Sequence, residues 1–181
     1  ENGPLSYLWN FGDGGTSTEA GPSHTFNASP GVPTAYTVSL TVRDDQNQPN
    51  TATIKVNVNN TPPVVSITSF PDGQLYPVGV DTTITLAAAV SDAESPAGEL
   101  AYAWRTVLHH NIHTHPEPID TAASTSTVIS GVGCYGDPFH YEVSLTVTDP
   151  GGLGTTVTNH LYPDCARIAP TPVIMASQVQ G

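Results

Sequence analysis

Tyr36-Thr37-Val38-Ser39-Leu40-Thr41-Val42 is written a second time in the chain, as Tyr141-Glu142-Val143-Ser144-Leu145-Thr146-Val147. In both copies apolar residues fall on every second position, the period of a half-buried strand. A second pair of blocks stands upstream in the same order: Gly3-Pro4-Leu5-Ser6-Tyr7-Leu8-Trp9 and Gly98-Glu99-Leu100-Ala101-Tyr102-Ala103-Trp104. Two blocks repeated in order mark two copies of one all-β unit. The offset is 95 residues between the tryptophans and 105 between the tyrosines, so the second copy carries extra residues between these strands. The stretch Leu108-His109-His110-Asn111-Ile112-His113-Thr114-His115-Pro116 is the candidate insertion.

Working outward, residues 5–12 alternate with Tyr7, Trp9 and Phe11 on one face, and Gly12-Asp13-Gly14-Gly15 closes a tight turn. Residues 35–43 form the clearest strand, and Asp44-Asp45-Gln46-Asn47 turns it into a partner carrying Ile54, Val56 and Val58. Asn59-Asn60-Thr61-Pro62-Pro63 reads as a short, proline-stiffened linker. Beyond it, Val64 to Ile67 opens the second copy. Ile84, Leu86, Ala88 and Val90 share a parity, and Val157 and Leu161 lie on the last strand. Short strands with regular turn signals predict β-sandwiches. The expected division is 1–60, 61–167 and a tail 168–181. In that tail, Pro172-Val173-Ile174-Met175-Ala176 resembles Pro63-Val64-Val65-Ser66-Ile67, the first strand of a module. The first copy has almost nothing ahead of its Tyr-x-Trp strand. The chain therefore reads as one period of a longer array, or as a subunit that completes its neighbour.

Composition narrows the function. The net charge is −12, and the only basic side chains are Arg43, Lys55, Arg105 and Arg167. Scattered cations cannot displace counterions from nucleic acid, so nucleic-acid binding is excluded. No apolar run reaches the length of a membrane helix. An acidic surface suits an extracellular protein and divalent cations. Cys134 and Cys165 flank two strands that a turn at Asp149 to Gly152 brings together, which predicts a disulfide and an oxidising compartment.

Tyr7-Leu8-Trp9-Asn10-Phe11-Gly12-Asp13-Gly14, His24-Thr25-Phe26 and Tyr36-Thr37-Val38-Ser39-Leu40-Thr41-Val42 together resemble the polycystic kidney disease (PKD) domain, over residues 1–60. The resemblance implies an immunoglobulin-like sandwich of cell surfaces and secreted enzymes, serving as a spacer, adhesion or binding module. The departure is the absent N-terminal third. The second copy is a more distant relative. Its Trp104, Leu108-His109-His110, His113-Thr114-His115-Pro116 and Thr148-Asp149-Pro150-Gly151-Gly152-Leu153 resemble a module that follows PKD domains in secreted bacterial proteins, among them relatives of glucose/sorbosone dehydrogenases. A bacterial or archaeal source and an extracellular or cell-surface location follow as expectations.

The histidines are the one constellation with the makings of chemistry. On an extended strand His109, His113 and His115 share a parity, a pattern that suits zinc or copper, with Glu117 or Asp120 in support. The competing reading is polar packing within a loop. Asp92, Glu94 and Asp149 sit at sandwich ends, where oxygen-rich loops hold Ca²⁺ and where Asp also simply builds turns. Trp9 and Trp104 are expected in cores, and His24 as a packed, hydrogen-bonded histidine. Asn27-Ala28-Ser29 and Asn59-Asn60-Thr61 fit the N-glycosylation pattern. No nucleophile elbow is present, and no enzymatic activity is expected.

The leading expectation is a non-catalytic extracellular structural or adhesive protein, a repeating subunit of a filament or tandem array. Its partners are copies of itself or adjacent repeats, with Pro172 to Ala176 as the assembly strand and Val56 and Val58 among its neighbours. The alternative is a carbohydrate-binding accessory pair from a secreted sugar-active enzyme, with glycans as partners. A third reading is a metal-binding or redox module centred on the histidines.

Overall fold

The structure, a computed structural model, describes residues 3–134, 136 and 138–167. These are β1 (Ser6–Asn10), β2 (Thr16–Ser17), β3 (Thr34–Arg43), β4 (Pro49–Val58), β5 (Val64–Ile67), β6 (Gln74–Tyr76), β7 (Thr82–Leu86), β8 (Ala88–Ser91), β9 (Ala101–His110), β10 (His113–Pro116), β11 (Thr125–Ile129), β12 (Phe139–Thr148) and β13 (Gly154–Pro163). Single 3-10 turns at Ala97–Glu99 and Cys165–Arg167 are the only helical pieces among the described residues. The protein is all-β among the described residues. By contact it divides into two compact units. The first comprises residues 1–64, 90–101 and 147–155, and the second 65–89, 102–146 and from 156 onward.

The first unit contains a four-stranded antiparallel sheet in the order β2-β1-β3-β4. Its register sets Trp9 opposite Leu40, Val38 opposite Ile54 and Leu40 opposite Ala52. Alternation therefore collects Tyr7, Trp9, Tyr36, Val38, Leu40, Val42, Ala52, Ile54 and Val56 on one face. The other face is polar, with Thr41 and Thr51 hydroxyls hydrogen-bonded across the strands at 2.9 Å. Residues between β2 and β3 cover one end of the apolar face. There Phe11 stacks on His24 at 3.8 Å, and Phe26 packs on both His24 and Tyr36. Tyr36 fastens this segment by donating its hydroxyl to the Asn27 carbonyl. The turn that delivers Phe11 needs Gly12, whose φ is +80° and whose added Cβ would lie 2.6 Å from the Thr37 carbonyl oxygen.

The rest of the apolar face is open. Ile54 is 62% exposed, and Leu5, Leu40, Val42 and Ala52 line a cleft of about 440 Å³. Among the described residues, Phe11 and Val38 are the only buried apolar residues of this sheet and its covering segment.

The second repeat supplies a five-stranded sheet, β10-β9-β12-β13-β6, in which β6 runs parallel to β13. The separate pairs β11-β7 and β5-β8 complete the strand set. Here the inward residues are closed off. Leu86, Trp104, Ile129, Val143, Leu145 and Leu161 are each 2% exposed or less. Tyr141 packs edge-on against Tyr76 and accepts a hydrogen bond from the Ser130 amide, anchoring the preceding loop as Tyr36 does in the first repeat. The repeat extends to the polar face, where Thr146 and Thr156 hydroxyls bond at 2.8 Å.

One expected strand is two. Ile84 and Leu86 lie on β7, which pairs with β11, whereas Ala88 and Val90 lie on β8, which pairs with β5. The break falls at Ala87, whose carbonyl accepts from the Thr68 and Ser69 amides. That bonding ends the ladder with β11 and redirects the chain to β5. Cys134 and Cys165 are disulfide-bonded, Cα to Cα 5.5 Å. The segment 168–181, with the expected assembly strand, lies outside the described residues.

Candidate functional site

Six of the histidines gather on the five-stranded sheet, and strand geometry sorts them onto two faces. β9 and β10 are joined by Asn111 and Ile112, with Asn111 in the left-handed region at φ 50°. Such two-residue turns make tight hairpins. His113 stands opposite His110, and His115 opposite Leu108. Residues paired across strands share a face, so His113 and His115 project with His110, and His109 projects to the other side. The expected trio His109, His113 and His115 assumed one continuous strand. The hairpin reverses the chain and couples odd positions of β10 to even positions of β9, which takes His109 out of the set. Among the described residues no group of three or more His, Cys, Asp or Glu side chains is arranged to hold a metal ion.

On one face, His110 lies 5.0 Å from His115, 5.7 Å from His113 and 5.3 Å from Phe139, ring centre to ring centre. The Nε2 atoms of His110 and His115 are 2.9 Å apart. On the other face, His109 stacks on His140 at 4.5 Å, and His140 adjoins His160 and Tyr162. His160 Nδ1 bonds Asp72 Oδ1 at 2.9 Å, and this bond is the first cause that holds the Asp72 carboxyl below its ordinary value. Burial, then the neighbouring His109 and His160, pushes His140 below the ordinary 6.5. His109 Nε2 is buried without a hydrogen-bond partner, with Glu142 Oε2 3.9 Å away.

Sequence reasoning passed over His110, His140, His160 and Tyr162. The signal was present: His140 precedes the inward Tyr141, and His160 and Tyr162 flank the inward Leu161. Outward positions on adjacent strands meet, but the order of strands is needed to see which ones.

The remaining expected residues take part in local hydrogen bonds and packing. Asp92 Oδ1 accepts the Glu94 and Ser95 amides. Glu94 accepts from the Thr61 amide and hydroxyl, and Asp149 accepts from the Leu153 amide and the Asn60 side chain. Asp92 Oδ2 and Asn57 Oδ1 are buried without partners. Asp120 accepts from the Thr125 hydroxyl and the Ala122 amide, which hold its carboxyl below the ordinary range, hydroxyl first. Glu117 bonds through its amide to the Thr106 carbonyl. His24 is packed and hydrogen-bonded to Asp13 at 2.7 Å. Trp104 is a core residue. Trp9 is half-buried and donates its indole N–H to the Glu19 carbonyl. The Asn59 side chain is bonded to the Ser29 and Val32 carbonyls, whereas Asn27 is exposed.

Comparison with known proteins bears on the first repeat. Residues 1–58 match the family model of the PKD domain. Over 63 residues the chain is 49% identical to Collagenase ColA of Bacillus cereus, a match that covers 34% of this chain and 6% of that protein. Over 64 residues it is 44% identical to the pre-pro-metalloprotease PrtV of Vibrio cholerae, again 34% of this chain and 6% of that protein. Among solved structures, fibronectin(III)-like modules of Clostridium thermocellum CbhA align over 97% of this chain and 86% of theirs, with 14% identity and a TM-score of 0.41. No helix among the described residues is long and apolar enough to cross a membrane. The sheet β2-β1-β3-β4, with its aromatic cover of Phe11, His24 and Phe26, lies within the residues that match the PKD domain model.

Proposed function

We propose that the protein is a non-catalytic extracellular structural module, joined head to tail to copies of itself or to adjacent repeats by the strand Pro172 to Ala176. The open apolar face of the PKD sheet carries this reading. Ile54 at 62% exposure and the cleft lined by Leu5, Leu40, Val42 and Ala52 present aliphatic surface on an ordered sheet. An unpartnered sheet face is stabilised by a strand that buries it. Pro172-Val173-Ile174-Met175-Ala176 has the composition of β5's opening, with alternating side chains for such a groove. Burying one of them contributes roughly 1.5–3 kcal/mol. Donor and acceptor surfaces differ, so the contact is heterologous and propagates. The disulfide supports an oxidising, extracellular setting, and the PKD matches to a collagenase and a metalloprotease support an accessory role beside other domains.

A cysteine pair tests it. Ile54→Cys with Ile174→Cys in the full chain is expected to give disulfide-linked ladders on a non-reducing gel. Monomers only, together with Ile174→Asp leaving sedimentation unchanged, would refute the strand exchange.

A further inference from the structure

We propose that His110 and His115 are the two protein ligands of a divalent transition-metal site at the β9–β10 hairpin, with Cu²⁺ the preferred ion. The site lies on the second repeat and is independent of the strand exchange above.

The argument starts from separation. The two Nε2 atoms are 2.9 Å apart. At metal–nitrogen distances of about 2.0–2.1 Å, two ligands at a right angle stand about 2.9 Å apart, and two at a tetrahedral angle about 3.3 Å. The pair therefore already holds the spacing of cis positions in a tetragonal ion, the geometry that Cu²⁺ favours. Both rings now point at each other and share one proton as an N–H···N bond, their planes 3° apart. Binding takes up both Nε2 lone pairs: the ring that carries its proton on Nε2 shifts to the Nδ1–H tautomer, with no net proton released, and the rings tilt toward a common point. The tilt is accessible because β10 is the exposed edge of its sheet.

The surroundings suit a cation. His110 is steadied by stacking on Phe139, and its Nε2 faces His115. His113, paired opposite His110 on the same face, is a third imidazole close to the pair. Water fills the other coordination positions. Divalent first-row ions bind nitrogen sites in an order that peaks at copper. A chain of net charge −12 also concentrates cations at its surface.

The rival explanation is a hydrogen-bonded pair that closes the hairpin and binds nothing. Glutamine separates the two, because its amide both donates and accepts. The test titrates CuSO₄ into the full, untagged chain and into H110Q, H115Q and H140Q, followed by calorimetry and electron paramagnetic resonance. The wild-type chain is expected to bind one Cu²⁺ with nitrogen hyperfine structure. H110Q and H115Q are each expected to bind at least about tenfold more weakly, with the circular dichroism of the sheet retained. H140Q, on the opposite face, is expected to bind as wild type. Absence of wild-type binding overturns the proposal. So does survival of the nitrogen signal in the H110Q/H115Q double variant, or an equal loss in H140Q. If H110Q fails to fold, H115Q on the exposed edge strand carries the test.

Discussion

Leu40 and Leu145 occupy the same place in the same repeated strand, yet Leu145 is fully buried and Leu40 is half open. The strands around them match down to the cross-strand hydroxyl pairs, Thr41 with Thr51 and Thr146 with Thr156. The difference lies in what faces them. In the second repeat the inner face is closed by residues such as Leu86 on β7 and Ile129 on β11. In the first, aromatic cover reaches Trp9, Phe11 and Tyr36 and stops short of Leu40, Val42 and Ile54. A strand's sequence thus sets its pairing and its inward parity, whereas burial depends on a second layer that the strand does not encode.

That contrast can be broken most severely at the leucines. Leu145→Ala is expected to cost about 2–5 kcal/mol by urea denaturation, the range for a fully buried leucine, and Leu40→Ala less than about 1 kcal/mol. A synthetic peptide of residues 168–181 is expected to stabilise the first repeat in wild type and not in the Leu40→Asp variant. Equal losses at the two leucines would mean that Leu40 is already covered.

A smaller asymmetry comes from the disulfide, which only the second repeat has. Replacing Cys134 and Cys165 by serine opens a loop with a sequence separation of 31. It is expected to cost on the order of 3 kcal/mol, read as a lower melting transition for the second repeat with the first unmoved.

Acid sharpens the contrast further. The native state holds His140 below the ordinary 6.5, so the unfolded chain takes up its proton first. Stability then rises with pH from the lowered native value up to about 6.5, and falls on acidification through that window. His140→Gln is expected to flatten this slope in urea midpoints measured from pH 5 to 7.5. Asp72 has the same sign of linkage in a lower window. Its carboxyl is held below 3.8 by His160, so its contribution is present above 3.8 and lost below the lowered value. The smallest effect belongs to the threonine pairs. Thr41→Val and Thr146→Val are each expected to cost roughly 0.2–1 kcal/mol, and their near equality would confirm that the polar faces are the conserved part of the repeat.

The fold was largely legible because it rests on periodicity. Tyr36 to Val42 and Tyr141 to Val147 alternate cleanly, and the cysteines bracket a hairpin whose turn is visible at Asp149 to Gly152. The split at Ala87 was not legible, since parity runs unbroken from Ile84 to Val90 and only the bonds from Thr68 and Ser69 end the strand. The histidine faces were half legible. Which imidazoles share a side depends on the two-residue turn at Asn111 and Ile112, and a shift of one residue there exchanges the faces. Asp92, Glu94 and Asp149 read first as turn builders and second as cation ligands, and the turns they bond are a matter of backbone geometry that composition does not show.

The Cys134–Cys165 bridge also sets a path for mechanical load. A pull delivered through the chain beyond Arg167 enters at Cys165 and crosses the bridge to Cys134. It therefore never runs along β12 and β13, which lie inside the closed loop. These strands carry the fully buried Val143, Leu145, Val147 and Leu161, so this part of the core is excluded from the stretching coordinate. With 31 residues held back, about 100 Å of contour is withheld from extension. A tether built from this module would yield in its open first sheet first and keep β12 and β13 out of the extension.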